Sequence, residues 1–484
     1  MTGTSVVTDP PAAVGQIQVR GGAGSVSARL DDLDQAAVVL AAAGRDLSET
    51  ALTVLALAAD GGLLAATLLD PVGVGQVEAA CRRAAFGRHG LVSTALGLEL
   101  VAATLRAVTA AYRGAEAVAA TAVQQVELAA GRAAGPVVVP VVLSGLEAAV
   151  VLAPVATVVV RWRTARGMTA VPVPVSATGQ HLLGALAARP GMLEHLVATV
   201  PGLVGAWLDP AGAGVAGPRD VRQTAALAAT ATSAVPAMRE RPLQVQASPS
   251  LTAPAARGLG DLMATVADCP DRTVRVDAVR DASGRRAWVV SVPGTSAWSP
   301  VPGRDPFDLT SDLRTRGGRD DAAQQQVVAA MRAAGVPNDE PVLLVGHSLG
   351  GMVAAQVAAD PAVRTEFHIT HVVTAGSPVA LSGAPADVQV LSVEHDHDVV
   401  PTLDGRPNPD RASWVTVRTS SPAPLAHQSP VAAAHVATGY VRSAAELDDS
   451  ADPSIVGYRA GLSPFLAQVP GATVTRVEVV GSRP

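Results

Sequence analysis

Residues 341–351 read Pro341-Val342-Leu343-Leu344-Val345-Gly346-His347-Ser348-Leu349-Gly350-Gly351, and they constrain the fold more than any other stretch of the 484-residue chain. The apolar run 342–345 predicts a strand buried on both faces, and the Ala-rich run 352–359 predicts a helix. Between them stands a serine with a glycine two residues before it and another two residues after it. A serine lifted onto a sharp strand-to-helix turn needs small residues at those positions, because its own backbone is strained and the flanking segments pass close together. The same turn leaves the Leu349 amide at the helix N-terminus, where an unpaired N–H can face a developing oxyanion. Glycine-flanked serines also occur in surface turns, but the strand before this one and the helix after it favour a nucleophile elbow.

The surrounding pattern alternates. Residues 273–279 and 287–292 predict paired strands joined through Asp281-Ala282-Ser283-Gly284, and 321–334 predicts a helix. Residues 369–374 and 388–393 predict buried strands, and 414–418 one more. Strands alternating with helices predict an α/β fold, a mostly parallel sheet with helices on both faces. The first third of the chain differs in texture. Leu30, Leu33, Ala37, Leu40 and Leu47 recur at helical spacing over 25–60. Asp70-Pro71-Val72-Gly73-Val74-Gly75 breaks that pattern, 76–87 resumes it, and 91–132 extends it, which predicts an α-helical hairpin or small bundle. Residues 135–160 are the most hydrophobic stretch and long enough to cross a bilayer. Pro140 and Pro154 interrupt it, and Glu147 near its middle would cost about 3 kcal/mol there, so a buried or interfacial segment is favoured over a span. Helical pattern returns over 180–208, broken at Arg189-Pro190-Gly191 and Pro201-Gly202. The predicted division is a tail at 1–24, the helical unit at 25–134, a connecting region at 135–245 and the α/β unit at 246–484.

Composition excludes some classes. A net charge of -6 with no basic tract gives nucleic acid nothing to bind, and 2% aromatic residues provide no stacking platform. Cys81 and Cys269 have no metal-type spacing, and His395 and His397 alternate in an acidic loop without a further His/Cys cluster, so no metal and no cofactor is expected. The first 24 residues lack a basic n-region and an apolar h-region, so no conventional export signal is expected.

A serine needs a base, and the base needs an orienting carboxylate. In an α/β arrangement these follow in the order serine, acid, histidine. After the strand 388–393 come Glu394, Asp396 and Asp398, and the only histidines beyond them are His427 and His435. His435 precedes a helix-like run and is better fixed than His427, which lies in a Pro-containing loop. A second oxyanion amide is expected after the strand 287–292, from Thr295 or Ser296 of Pro293-Gly294-Thr295-Ser296. Residues 298–320, rich in Pro, Gly and charge, form a candidate lid or substrate loop.

The string Gly346-His347-Ser348-Leu349-Gly350-Gly351 with Asp398-Val399-Val400-Pro401 resembles the GHSLGG lipases and esterases of the α/β-hydrolase fold, in particular the class 3 lipase-like group. The resemblance implies Ser348 as nucleophile, Asp398 as acid with Asp396 second, His435 at the start of the last helix as base, and Leu349 with Thr295 or Ser296 as oxyanion donors. It implies a lipid or small ester substrate and no cofactor. Tyr112-Arg113-Gly114-Ala115-Glu116 fits the Y-x-x-x-[DE] pattern, and with the long Ala-rich helices it resembles the WXG-type helical hairpins of type VII secretion substrates, although Asp70 to Gly75 lacks that group's tryptophan. This second resemblance implies a helical secretion partner and a secreted or envelope location, with the cytoplasm as the alternative. Tyr112 and Glu116 equally suit an ordinary surface pair one helical turn apart. A partner-binding chain with a degenerate hydrolase unit is the alternative to an enzyme.

Overall fold

A computed structural model describes residues 17–143, 190–209, 216–280, 284–299, 301–423, 430–467, 469 and 472–484. The chain divides into two compact units, Val26–Val123 and the remainder, Met1–Ser25 with Gln124–Pro484.

The smaller unit is helical. It contains helices Val26–Ala58, Gly61–Ala66 and Pro71–Phe86 and the first part of Leu91–Leu143. Asp34 accepts from the Thr109 hydroxyl and from Arg113, and Arg106 reaches the carbonyl of Ala37, so the first and last of these helices run antiparallel. Ala37, Ala41 and Ala102 are buried between them, with Leu40 and Leu105 packed alongside. The stretch expected as a break at Asp70 to Gly75 instead begins a helix. The Asp70 carboxylate caps the Gly73 amide at 2.9 Å, and Pro71 occupies the first turn, where its missing N–H costs nothing. Tyr112 and Glu116 are both exposed.

The larger unit is built on a mixed sheet of ten strands among the described residues. They are β1 (Gln18–Gly21), β2 (Gln244–Ala247), β3 (Leu251–Pro254), β4 (Thr273–Arg280), β5 (Arg286–Val292), β6 (Pro341–His347), β7 (His368–Ala375), β8 (Gln389–His395), β9 (Trp414–Thr419) and β10 (Thr473–Ser482). The order is β1-β9-β8-β7-β6-β5-β4-β10-β2, with β3 also on β10. Strands β5 to β9 are parallel, and antiparallel pairs close both sides. Period-two alternation sends successive residues of β6 to opposite faces. Leu344 joins Val290, Val372 and Val390 under helices Ala322–Ala334 and Leu349–Ala359. Leu343 and Val345 join Val289, Val373, Leu391 and Val417 under helices Leu259–Ala267, Ala437–Asp448 and Pro453–Gly461. The α/β-hydrolase-type fold expected from the sequence is the fold observed.

The differences lie at the margins. Gln18–Gly21, expected within a tail, is an edge strand on β9. Helix Val221–Ser233, expected in the connecting region, carries Arg222, whose guanidinium donates to the carbonyl of Leu381 at 2.7 Å beside the sheet. The break expected at 201–202 falls before it, because Pro201 occupies the first turn of helix Val200–Leu208. Helix Pro190–Ala198 precedes it, and Arg189 of the break expected at 189–191 lies outside the described residues. Of the apolar segment 135–160, residues up to 143 continue the helix Leu91–Leu143, and 144–160 lie outside the described residues.

Candidate active site

Strand β6 ends at His347, and Ser348 follows with φ 55° and ψ -123°. A non-glycine residue held there costs about 1–3 kcal/mol, which the surroundings must impose. They do so through close packing. A Cβ on Gly346 would lie 2.3 Å from the carbonyl carbon of Gly350, and one on Gly350 would lie 2.3 Å from the carbonyl oxygen of Val292. The Ser348 amide donates to the carbonyl of Ala375 at 2.9 Å, which ties the turn to the end of β7.

Three of the expected residues come together. Ser348 Oγ lies 2.9 Å from His435 Nε2, and His435 Nδ1 lies 2.7 Å from Asp398 Oδ2. His435 sits in the short gap between helices Pro430–Ala434 and Ala437–Asp448. The latter is not the last helix, since Pro453–Gly461 and β10 follow it. The carboxylate at the imidazole is that of Asp398; the Asp396 amide bonds the carbonyl of Thr419, and its carboxylate makes no hydrogen bond to His435 among the described residues. His427 lies outside the described residues.

The Asp398 carboxyl is nearly inaccessible. Burial alone would raise its pKa, but the bond and charge of His435, the Tyr440 hydroxyl at 2.7 Å and the Val400 amide at 2.9 Å together hold it below the usual value. An ionised Asp398 accepts a hydrogen bond from Nδ1–H, which holds the ring proton on Nδ1 and leaves Nε2 free to accept from Ser348. Two further histidines line this cluster. Burial, then repulsion by His435, pushes His347 down to about 3. His347 is therefore neutral near pH 7, and its Nε2–H donates to the carbonyl of His435 at 2.9 Å. Burial also lowers His395, whose Nδ1–H donates to the carbonyl of Ala434 at 2.6 Å and whose Nε2 accepts from Ser443 at 2.9 Å. Both ring nitrogens are thus engaged, and the described residues contain no group of three metal-ligating side chains.

On the other side of Ser348 lies the loop after β5. A Cβ on Gly294 would lie 3.3 Å from Ser348 Cβ, so this loop borders the serine directly. Of the two donors expected there, Ser296 is corrected: its amide donates to the carbonyl of Phe307 at 3.0 Å and its hydroxyl to Asp305 at 2.6 Å, so neither is open to a substrate. The Thr295 amide has no hydrogen-bond partner among the described residues. The Leu349 amide opens the helix Leu349–Ala359, where N–H groups have no intrahelical acceptor. Thr295 is fixed through its hydroxyl, which donates to Asp312 at 2.8 Å. Asp312 is pushed up to about 7, chiefly by burial, against the opposing effects of that hydroxyl and of Arg316. The stretch expected as a lid is therefore in part a brace, as helix Leu309–Arg316 holds the Thr295 loop through Asp312 and reaches Asp404 through Arg316 at 3.5 Å.

Sequence reasoning missed Tyr440, Gly376, Asp312 and the role of His347. Gly376 has φ 60°, and a Cβ on it would lie 2.9 Å from both Asp398 Oδ2 and the Tyr440 ring. A glycine just after a buried strand was a readable signal, whereas the contacts of Tyr440 and Asp312 join residues far apart in the chain.

Comparison with protein families finds a match to the PGAP1-like alpha/beta domain over residues 323–448. The matched stretch runs from the helix before β6 to the end of helix Ala437–Asp448, so it takes in Ser348, Asp398 and His435 and stops short of the Thr295 loop. Comparison with curated proteins and with solved structures finds no match. The chain thus carries an α/β-hydrolase-type domain, preceded by a helical unit.

Proposed function

We propose that the chain is a serine hydrolase that cleaves a carboxylic ester of a lipid or small molecule by acyl transfer. The observation that carries this reading is the unbroken pair of hydrogen bonds from Ser348 through His435 to Asp398, beside a strained serine. Ser348 Oγ attacks the ester carbonyl while His435 Nε2 takes its proton. Asp398 holds the imidazole in the required tautomer and stabilises the imidazolium. The amides of Leu349 and Thr295 donate to the oxyanion, each worth on the order of 3 kcal/mol in the transition state. His435 then returns the proton to the departing alcohol, and the same steps with water release the acid. A p-nitrophenyl ester panel tests this: Ser348→Ala and His435→Ala are each expected to lower kcat by about 10⁴-fold or more. Hydrolysis surviving in Ser348→Ala overturns the nucleophile.

The smaller unit favours a second reading, partner binding. Its helices leave Leu52, Leu57, Phe86, Leu96, Leu100 and Val118 each more than half exposed, a density of large apolar side chains that suits packing against another helix. On this reading the unit engages a second helical protein, such as a secretion partner. Retention of a small helical-hairpin protein by the full chain, lost with Leu96→Glu and Leu100→Glu, is the expected result; equal retention by both chains contradicts it.

A further inference from the structure

We infer that Tyr440 is a positioning residue of the proposed triad, a second side-chain donor that shares Asp398 Oδ2 with His435 and sets how strongly the carboxylate holds the imidazole. The inference rests on the functional reading above, but its geometry does not. Tyr440 Oη lies 2.7 Å from Asp398 Oδ2, the same oxygen that His435 Nδ1 approaches at 2.7 Å. The direction of the phenol proton is fixed, because Oη also accepts from the His395 amide at 3.2 Å, which leaves the carboxylate as the acceptor of its O–H. The ring cannot swing away. It is fully buried, stacked on the His395 imidazole at 3.8 Å with planes 8° apart, and it lies close to the bare face of Gly376. Burial and the neighbouring carboxylate push the phenol well above its ordinary pKa, so it remains a donor throughout the working range.

A buried carboxylate with too few donors carries a desolvation cost and gains a proton instead. Here the Val400 amide serves Oδ1, while His435 and Tyr440 serve Oδ2. The third donor draws charge density from the oxygen that faces the imidazole. The result is an aspartate that stays ionised and correctly aimed while pulling less strongly on the imidazolium. Among the described residues, the other titratable groups facing His435 are His347, whose ring centroid lies 4.9 Å away, His395, and Asp312 from helix Leu309–Arg316. None of these touches Asp398 Oδ2 among the described residues.

Tyr440→Phe in the full chain removes only the hydroxyl. The expected results are an upward move of about 0.5–1 unit in the midpoint at which the His435 Hε1 resonance titrates, and the same displacement of the acid limb of kcat/KM. A fall in kcat of about 3–10-fold with little change in KM is expected alongside. Replacement of Tyr440 by 3-fluorotyrosine, a stronger donor of nearly the same size, is expected to move the midpoint the opposite way. It also carries the test if the phenylalanine chain does not fold. Unmoved midpoints in the folded variants overturn the inference and reduce Tyr440 to packing. The NMR titration needs no turnover, so an inactive wild-type chain would defeat the hydrolase reading while the coupling of Tyr440 to His435 is still decided.

Discussion

Gly346 and Ser348 oppose each other at the residue scale. The serine occupies strained backbone, and the glycine makes that strain affordable by letting Gly350 approach within a distance no side chain permits. Gly346→Ala is expected to destabilise the larger unit by about 1–3 kcal/mol through overpacking and to abolish reactivity at an unaltered Ser348, measured by denaturant unfolding and active-site labelling. Asp312 makes a second prediction. Its folded pKa, about 7, lies above the ordinary carboxylate value. A group raised in this way binds more protons folded than unfolded, so its contribution is fully present below the unfolded pKa and is lost as pH rises toward 7. Asp312→Asn keeps an acceptor for Thr295 without the ionisation. The melting temperature of this variant relative to wild type is therefore expected to rise between pH 4.5 and pH 8, and a constant difference would count against a buried, raised Asp312.

Helix Leu309–Arg316 shows how one element serves two loops. Its N-cap, Asp308, accepts from the Thr310 and Ser311 amides and pairs with the buried Arg483, its middle holds Thr295 through Asp312, and its end reaches Asp404. Asp308→Ala removes the cap and leaves Arg483 without that partner, which is expected to cost about 3–5 kcal/mol and to lower kcat by loosening the Thr295 loop. Denaturant unfolding beside ester hydrolysis reads both. At this scale the sequence was only partly legible. Strands β4 to β9 and the elbow could be read because apolar runs and local turn chemistry declare them. Strands β1, β2 and β10, in the antiparallel flanks of the sheet, could not, because Gln, Arg, Thr and Glu dilute their pattern and their pairing is decided by distant neighbours. The order rule narrowed the acid to Glu394, Asp396 and Asp398 and the base to His427 and His435, and the family resemblance singled out Asp398, whereas nothing local reveals that Phe307 takes the Ser296 amide. The brace at Asp312 likewise exists only across 17 residues of chain.

For the whole molecule, the two units make a spectroscopic prediction. All five tryptophans lie outside Val26–Val123, so tryptophan fluorescence reports the larger unit alone, while far-UV circular dichroism reports both. Thermal unfolding followed by the two signals is expected to give non-coincident transitions, and coincident ones would mean that the units melt together. Reactivity at Ser348 should follow the fluorescence transition. That reactivity is also where the account is most exposed. A fluorophosphonate probe with peptide mapping is predicted to modify the wild-type chain at Ser348 and to leave both Ser348→Ala and the heat-unfolded chain unmodified. A wild-type chain that resists the probe, or a Ser348→Ala chain that still takes it, would contradict the claim that this serine is an activated nucleophile.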